Sequence, residues 1–156
     1  MNIDITVGVI SDTHGLIRPE AVEALRDSAL IIHAGDVGAP EVLEQLRAIA
    51  PTIAVRGNVD TDRWAQSLPL NEVIEVGEVQ FYILHDISEL DLDPKAAAFS
   101  AVISGHSHRA TAEFRDGVLF LNPGSAGPRR FRLPVTVAKL RVAGKSLVHE
   151  FIELRV

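Results

Sequence analysis

The first third of the chain alternates between short β-branched runs and segments with helical apolar spacing. The runs ITVGVI, ALIIH and TIAVR have the length and composition of buried strands. Between them lie PEAVEALRDS, with Pro19 in its first turn, and EVLEQLRAIA, whose apolar residues recur every three or four positions until Pro51. This β-α-β-α-β order predicts a parallel sheet with helices on its faces.

The second half of the chain is richer in strands. NEVIEV and VQFYILH are separated by Gly77-Glu78, and TAEFR and VLFLN flank Asp116-Gly117, which are spacings typical of β-hairpins. VTVAKLRV and SLVHEFIEL predict a final antiparallel pair, and a brief helix is expected at residues 94–99, before the strand AVIS. Because no repeat or linker interrupts the pattern, residues 1–156 are expected to form one α/β domain.

Composition and charge fit a globular protein and narrow its chemistry. Hydrophobic residues make up 47% of the 156 positions and charged residues 23%, and cysteine is absent. Any metal must therefore be held by nitrogen and oxygen donors, and the composition suits a reducing cytoplasm. No apolar run approaches the ~18 residues of a membrane span, so no membrane partner is expected. The net charge of -6 gives no strong nucleic-acid signal, and the one basic cluster, Arg129, Arg130 and Arg132, is a solvated loop or a phosphate contact.

Polar residues with metal-ligating side chains follow five of the predicted strands. They are Asp12 and His14, Asp36, Asn58, His85, and His106 with His108. Because ligands of open α/β sheets gather beyond the carboxyl ends of strands, these side chains are expected to converge. Each one alone is as well explained by turn capping or surface hydrogen bonding, but seven of them are hard to attribute to turns. The preceding glycines are expected to supply positive φ in sharp turns.

The chain resembles the calcineurin-like metallophosphoesterases in the motifs Asp12-x-His14, Gly35-Asp36, Gly57-Asn58, His85 and Gly105-His106-x-His108. The short spacings, the lack of a cap insertion and the NPGS turn at residues 122–125 are similar to the small, single-domain phosphodiesterase branch of that family. The resemblance implies a four-layer α/β/β/α sandwich with a parallel first half and a strand-rich second half. It also implies a metal-dependent phosphoesterase that acts on a small phosphate-ester substrate, with phosphodiesters as the favoured class.

The same resemblance implies two divalent metal ions and a role for each ligand. One ion would be held by Asp12, His14, Asp36 and His108, and the other by Asp36, Asn58, His85 and His106. Asp36 would then bridge the two ions, and a hydroxide between them would attack phosphorus, with Asp12, Asp36, Asn58 and His106 as the principal catalytic residues. Mn²⁺ is expected by resemblance, although Ni²⁺, Co²⁺, Fe²⁺ or Zn²⁺ would also suit nitrogen and oxygen ligands.

One position departs from the common family pattern. Many calcineurin-like enzymes carry a histidine directly after the asparagine, where it acts as a general acid or stabilises the transition state, but here that residue is Val59. Activity is therefore expected to favour aryl or otherwise activated phosphodiesters, unless Asp60 or His33 supplies the acid. His33 is equally consistent with orienting a ligand and with a buried, hydrogen-bonded strand histidine.

The sequence is also compatible with other functions. The substrate could be a phosphomonoester or a nucleotide pyrophosphate rather than a phosphodiester. A non-enzymatic scaffold is a further alternative, because a eukaryotic retromer subunit resembles this small fold and uses it for protein contacts. That subunit has degraded metal ligands, whereas the set here is complete, which favours catalysis. Association of copies through the late strands into a homo-oligomer is an open alternative to a monomer.

Overall fold

A computed structural model describes residues 4–156 and contains two five-stranded β-sheets. The first sheet is built from β1 (Asp4–Ile10), β2 (Leu30–His33), β3 (Thr52–Ala54), β9 (Thr136–Ala143) and β10 (Ser146–Glu153). The second sheet is built from β4 (Asn71–Val76), β5 (Val79–Leu84), β6 (Ala101–Ile103), β7 (Ala110–Arg115) and β8 (Val118–Pro123). Between the strands lie the helices α1 (Pro19–Ala24) and α2 (Pro40–Arg47) and two 3₁₀ helices, Arg63–Ser67 and Ile87–Glu89.

The first sheet confirms the predicted β-α-β-α-β half and the predicted final pair. Its strand order is β10-β9-β1-β2-β3. Strands β1, β2 and β3 run parallel, whereas β9 pairs antiparallel with β1 and β10 pairs antiparallel with β9. The chain therefore returns from the second sheet to complete the first one, so that the second sheet is one continuous piece of sequence and the first sheet is not.

The second sheet contains both predicted hairpins, in the strand order β4-β5-β6-β8-β7. Strands β4 and β5 are joined by the turn at Gly77, and β7 and β8 by the turn at Asp116 and Gly117. The central strands β5, β6 and β8 run parallel. In both sheets, therefore, loops that follow central parallel strands emerge at one edge.

The two sheets pack face to face and form the main hydrophobic core. Its fully buried side chains include Val9 and Ile32 from the first sheet and Phe81, Ile103 and Leu119 from the second. Helices α1 and α2 cover the outer face of the first sheet. The segment after β5 covers the outer face of the second sheet, where it packs on Tyr82 and Val102. The predicted four-layer α/β sandwich is thus confirmed, with a fourth layer of turns and 3₁₀ helix.

The prediction of a helix at residues 94–99 is wrong, because this segment forms a turn. The Ala97 N–H donates to the Asp93 carbonyl (3.0 Å) and the Phe99 N–H to the Pro94 carbonyl (2.9 Å). The turn stops at Ala98, whose φ of 64° lies in the left-handed region that an α-helix cannot continue through. The segment is therefore long enough for one turn only before the chain enters β6.

Both α-helices are short and begin with a proline, Pro19 in α1 and Pro40 in α2, where a missing N–H costs nothing. Helix α2 ends at Arg47, before Pro51, and buries Val42, Leu43 and Leu46 against the first sheet. None of the helices within residues 4–156 is long and apolar enough to cross a membrane. Such short helices depend on the sheet for their stability.

The packing of α2 gives a direct stability prediction. Leu46 is fully buried, so that Leu46→Ala should lower the free energy of unfolding by about 2–5 kcal/mol through lost contacts and a residual cavity. The neighbouring Gln45 is exposed, and Gln45→Ala should change the free energy of unfolding by no more than about 0.5 kcal/mol. Urea unfolding of the two variants measures the difference, and equal effects would contradict the packing described here.

Candidate metal centre

All seven predicted ligands lie together at one end of the two sheets. Hydrogen bonds between neighbouring loops hold them there: the Asp12 N–H donates to the Gly35 carbonyl (3.0 Å) and the Gly105 N–H to the His85 carbonyl (2.9 Å). A bond between the sheets joins the two sets, because the His106 N–H donates to Asp12 Oδ2 (3.0 Å). The convergence expected from the strand ends is therefore present in the structure.

Asp12 lies at the centre of the cluster and is completely buried. Its Oδ1 atom is 3.4 Å from His108 Nε2, 3.8 Å from His85 Nε2 and 4.0 Å from His14 Nε2. Its Oδ2 atom accepts the Ser11 hydroxyl (2.7 Å). One carboxylate oxygen is thus fixed by the protein, while the other faces three imidazole nitrogens.

Asp36 lies between two groups of imidazoles, and its Oδ2 atom is 3.2 Å from His85 Nε2 and 3.8 Å from His14 Nε2. On the far side of His85, the ring of His106 stands edge-on with its centroid 5.2 Å away. His106 Nδ1 is 3.2 Å from Asn58 Oδ1, which places Asn58 in the same cluster. The position of Asp36 is that of a carboxylate able to serve both groups.

The donor atoms fit a divalent cation better than they fit one another. The Nδ1 atom of His85 is 2.8 Å from the Ala34 carbonyl, which can only accept, so that Nδ1 carries the proton and Nε2 presents a lone pair in the neutral ring. That lone pair faces the carboxylates of Asp12 and Asp36, and neither His85 Nε2 nor Asp12 Oδ1 has a hydrogen-bond partner. Burial opposes the charge on His85, but its contacts with Asp36, Ala34 and Asp12 prevail and raise its pKa. The facing acceptors therefore require either a second proton on His85 or a cation between them.

Two groups of donors have the compactness that a metal ion requires. The groups are Asp12 with His14 and His108, and Asp12 with Asp36 and His85, and the donor atoms of each group lie within 4.8 Å of one another. Donors that bind one ion at about 2.0–2.2 Å stand roughly 3–3.5 Å apart, so small side-chain movements would bring these atoms onto an ion. The carboxylate that the two groups share is Asp12. The resemblance gave the bridging position to Asp36 instead, and Asp36 Oδ2 also approaches both His14 and His85.

Most of the candidate ligands have a left-handed backbone, which non-glycine residues rarely adopt. Within residues 4–156, eight non-glycine residues have positive φ. Five of them are candidate ligands: Asp12, His14, Asp36, His106 and His108. Each such residue costs about 1–2 kcal/mol, so the surrounding loops must impose this conformation. Concentration of backbone strain in one cluster is characteristic of functional sites.

Close packing, rather than turn conformation, explains two of the glycines that precede ligands. Neither Gly57 nor Gly105 has positive φ. A Cβ atom on Gly57 would overlap the Asp36 carboxylate, and one on Gly105 would overlap the Ser11 hydroxyl and approach Asp12 Oδ2. The expectation that these glycines serve sharp turns is therefore wrong for both, and their role is to let neighbouring loops approach the carboxylates.

Burial and mutual contact shift the pKa values of the cluster in different directions. Burial raises the pKa of Asp12, and the Ser11 hydroxyl and neighbouring imidazoles offset this only in part. Burial also opposes the charge on Asp36, but the contacts with His85 and the Val59 N–H prevail and lower its pKa. Burial lowers the pKa of His108. A metal-free cluster at neutral pH therefore retains an unprotonated imidazole at His108, as a metal ligand must.

Asp60 joins two of the ligand-bearing loops. Its carboxylate accepts three backbone N–H groups, from Val37 (3.1 Å), Gly38 (3.0 Å) and Gly57 (2.9 Å). It is 3% exposed. Through these three bonds the carboxylate fixes the loops of Asp36 and Asn58 to each other, which is a positioning role.

His33 is fully buried and belongs to a chain of hydrogen bonds beneath the cluster. The Gly35 N–H donates to His33 Nδ1 (3.1 Å), so the ring proton lies on Nε2, which donates to Thr13 Oγ1 (2.9 Å). The Thr13 hydroxyl in turn donates to the Val37 carbonyl (2.8 Å). Burial lowers the pKa of His33 to about 3. The ring is therefore buried and hydrogen-bonded, and its bonds also link the loops that carry Asp12, His14 and Asp36.

Several supporting residues escaped the sequence analysis. The Ser125 hydroxyl donates to the Asp12 carbonyl (3.0 Å), and the Asn122 amide donates to the Gly105 carbonyl (2.8 Å). The sequence offered a signal for both, because they are the first and last residues of the NPGS turn. The arginine-rich loop also reaches the cluster, since Arg129 and Arg130 line a small cavity with His108.

Comparisons with known proteins agree with this geometry. A family model described as the calcineurin-like phosphoesterase superfamily domain matches residues 5–145. A probable metallophosphoesterase of Methanothermobacter thermautotrophicus is 34% identical over an alignment that covers 94% of this chain and 91% of the relative. A phosphodiesterase of Methanocaldococcus jannaschii is 30% identical, with 76% of this chain and 82% of the relative aligned.

The fold has solved counterparts as well. A structure of Vacuolar Protein Sorting 29 from Cryptosporidium parvum superposes with a TM-score of 0.83 and covers 97% of this chain and 92% of that one. Its sequence is 21% identical to the present one. At this level of identity the likeness establishes a shared fold and nothing about shared activity.

The environment of His33 predicts how stability depends on pH. His33 titrates at about 3 in the folded protein and near its ordinary value of 6.5 when unfolded, so the unfolded chain binds the extra proton between these values. The free energy of unfolding should therefore fall as pH decreases from 6.5 towards 3, by up to about 1.4 kcal/mol per unit from this residue. Urea unfolding of the metal-free protein between pH 7 and pH 4 measures the slope.

Two variants isolate this contribution. His33→Gln keeps a donor for Thr13 but does not titrate. The slope of its free energy of unfolding against pH should therefore be smaller by up to about 1.4 kcal/mol per pH unit, which corresponds to the uptake of one proton. His149 is exposed, and His149→Gln should leave the slope as it is. If the slopes of the His33→Gln variant and the unaltered protein coincide, the assigned environment of His33 is wrong.

Proposed function

Because this chain belongs to the calcineurin-like phosphoesterase superfamily, we propose that it is a phosphodiesterase whose active site is a dinuclear metal centre. Asp12, His14, Asp36 and His108 would hold one ion, and Asp36, Asn58, His85 and His106 would hold the other. Mn²⁺ is the proposed native metal, with Ni²⁺, Co²⁺, Fe²⁺ and Zn²⁺ as alternatives that the same nitrogen and oxygen donors accept.

The observation that carries the proposal is the unpaired buried lone pair of His85. Its Nε2 atom faces Asp36 Oδ2 at 3.2 Å and Asp12 Oδ1 at 3.8 Å, while its only proton in the neutral form is committed to the Ala34 carbonyl. A divalent cation at this position would supply the positive charge that the two carboxylates and the ring nitrogen lack. Because a scaffold could also hold a metal ion, hydrolysis is the readout that separates an enzyme from the scaffold alternative.

The side chains of the cluster have separate tasks in this scheme. Divalent ions, when bound, supply Lewis-acid polarisation of the phosphoryl group and activation of a water molecule. Asp12 and Asp36 hold the ions in place, and their two negative charges are fewer than the positive charges of two divalent ions, so the site attracts an anion. Asn58 contributes a neutral oxygen beside His106, which keeps the net charge positive.

A carboxylate at the rim favours diesters over monoesters. Asp86 Oδ2 lies 3.7 Å from His106 Nε2, outside the proposed ligand set. Its negative charge repels a dianionic phosphomonoester, or the polyphosphate of a nucleotide, more strongly than a phosphodiester with a single charge. The relative from Methanocaldococcus jannaschii is named a phosphodiesterase, which also supports a diester substrate.

Metal content and hydrolysis test the proposal together. The unaltered protein should bind about two Mn²⁺ per chain and hydrolyse bis(4-nitrophenyl) phosphate with a higher kcat/KM than 4-nitrophenyl phosphate. Asp36→Asn, which keeps the side-chain volume but removes the bridging charge, should bind fewer ions and lose activity by at least about a hundredfold. Elemental analysis and absorbance of nitrophenolate provide the two readouts.

The matched control is Glu41→Gln, because Glu41 is an exposed carboxylate in the first turn of α2. This variant should retain both the metal content and the rate. Protein that binds no metal and hydrolyses neither ester would favour the scaffold, and faster hydrolysis of the monoester would favour the phosphomonoesterase alternative.

Val59 predicts a strong dependence of the rate on the leaving group. Its backbone N–H donates to Asp36 Oδ1 (3.0 Å), while its side chain is 45% exposed and offers no proton. Without a general acid, log kcat for a series of aryl phosphodiesters should fall steeply as the pKa of the leaving phenol rises. Val59→His should flatten this dependence and accelerate poor leaving groups by up to about 10²–10⁴-fold.

The control for size is Val59→Leu, which should keep the steep dependence because leucine donates no proton. A series that is already flat for the unaltered protein would show that another group supplies the proton. Equal slopes for Val59→His and Val59→Leu would show that position 59 does not face the leaving group.

A further inference from the structure

A cavity of about 150 Å³ adjoins the metal centre on the side of His106. It lies on the outer face of the second sheet, between the loop after β6, the start of the 3₁₀ helix at Ile87 and the hairpin of β7 and β8. His106 lines the cavity and is also a proposed metal ligand. A molecule whose phosphate lies at the metal centre can therefore extend into this space.

The walls of the cavity combine apolar and polar side chains. Phe120 and Ile87 contribute apolar surface, and Thr111 and Arg115 approach from β7. Alternate residues of β7 face the cavity because β-strand side chains alternate between faces. The Arg115 guanidinium lies 4.8 Å from the centre of the Phe120 ring, so a stacked arrangement already exists at the rim.

Size and charge restrict what the cavity can accept. A volume of about 150 Å³ is large enough for a benzene ring, and Phe120, Ile87 and Leu121 form the apolar part of a lining that is otherwise polar. Asp86 and Glu113 contribute two carboxylates to the lining, and Arg115 pairs with Glu113 (3.0 Å), so the charge of Asp86 remains unpaired within the lining. A second phosphate group is therefore disfavoured, whereas an uncharged ring is not.

We propose that this cavity binds an aromatic ester group of the substrate while the phosphate lies at the metal centre. The proposal rests on the phosphodiesterase function above and narrows the substrate class to phosphodiesters with at least one aryl or similarly flat, uncharged ring. Thr111 lines the cavity and pairs across the hairpin with Asn122, which is also a lining residue, so a larger side chain at position 111 would fill part of the space.

Binding of two product-like monoesters to the Mn²⁺-loaded protein tests the proposal. Phenyl phosphate and methyl phosphate differ in one organic group, and isothermal titration calorimetry measures their affinities without turnover. Phenyl phosphate should bind about tenfold more tightly than methyl phosphate, because only the ring buries apolar surface in the cavity. Thr111→Trp should remove this preference, because its indole ring occupies the space that the phenyl group would enter.

Phe114→Trp is the matched control, because Phe114 lies on the same strand, is 57% exposed and does not line the cavity. It should keep the tenfold preference. Equal affinities of the two monoesters for the unaltered protein, or a preference that survives Thr111→Trp, would overturn the assignment of the cavity and leave the phosphodiesterase function intact. Failure of both monoesters to bind, together with no hydrolysis of any diester, would overturn the function itself and this inference with it.

Discussion

Buried acceptor atoms that face one another, with no donor between them, are the constraint around which the rest of this protein is arranged. Asp12 Oδ1 and His85 Nε2 come from different sheets and have no hydrogen-bond partner. Each unpaired buried group costs about 1–3 kcal/mol, a cost that the packed core must offset until a cation binds. The site therefore lowers the stability of the metal-free protein, and the packing of the rest of the fold offsets that loss.

The backbone shows how the fold holds these ligand atoms in place. Ligand residues with a left-handed backbone, such as Asp12 and His108, would relax if the loops were free. They are held by bonds between loops, among them the three N–H groups that reach the Asp60 carboxylate. Beneath them, His33 and Thr13 connect the first two loops through a chain of bonds in which every donor and acceptor is used. Rigid support beneath the ligands lets the donor atoms stay in place while unpaired.

The two histidines of the Gly105–His108 loop connect the chemistry of the site to its recognition of substrate. His108 is buried beside Asp12, whereas His106 is largely exposed and borders both Asn58 and the cavity near Phe120. One residue of separation is enough to place one ring inside the cluster and the other at its edge. The proposed ester pocket thus lies beside the metal centre without any insertion into the domain.

The order and type of most strands followed from the sequence, because alternation of apolar residues and hairpin turns such as Asp116-Gly117 are local properties. Gathering of polar residues at strand ends was also predictable, since parallel strands bring their carboxyl ends to one edge. The short turn at Ala98 was not, because a single left-handed residue overrides the helical preference of its neighbours.

Roles that depend on neighbours distant in sequence were decided by the tertiary structure alone. Gly57 and Gly105 are glycines because side chains of other loops, the Asp36 carboxylate and the Ser11 hydroxyl, occupy the space of a Cβ, and no local pattern reports that contact. The same holds for Asp60, whose three donors come from two loops, and for the cavity beside His106, which exists only where two hairpin strands and a loop meet. The sequence determined which chemical groups were available, and packing of the two sheets determined which atoms face one another, since those distances depend on contacts between separate strands.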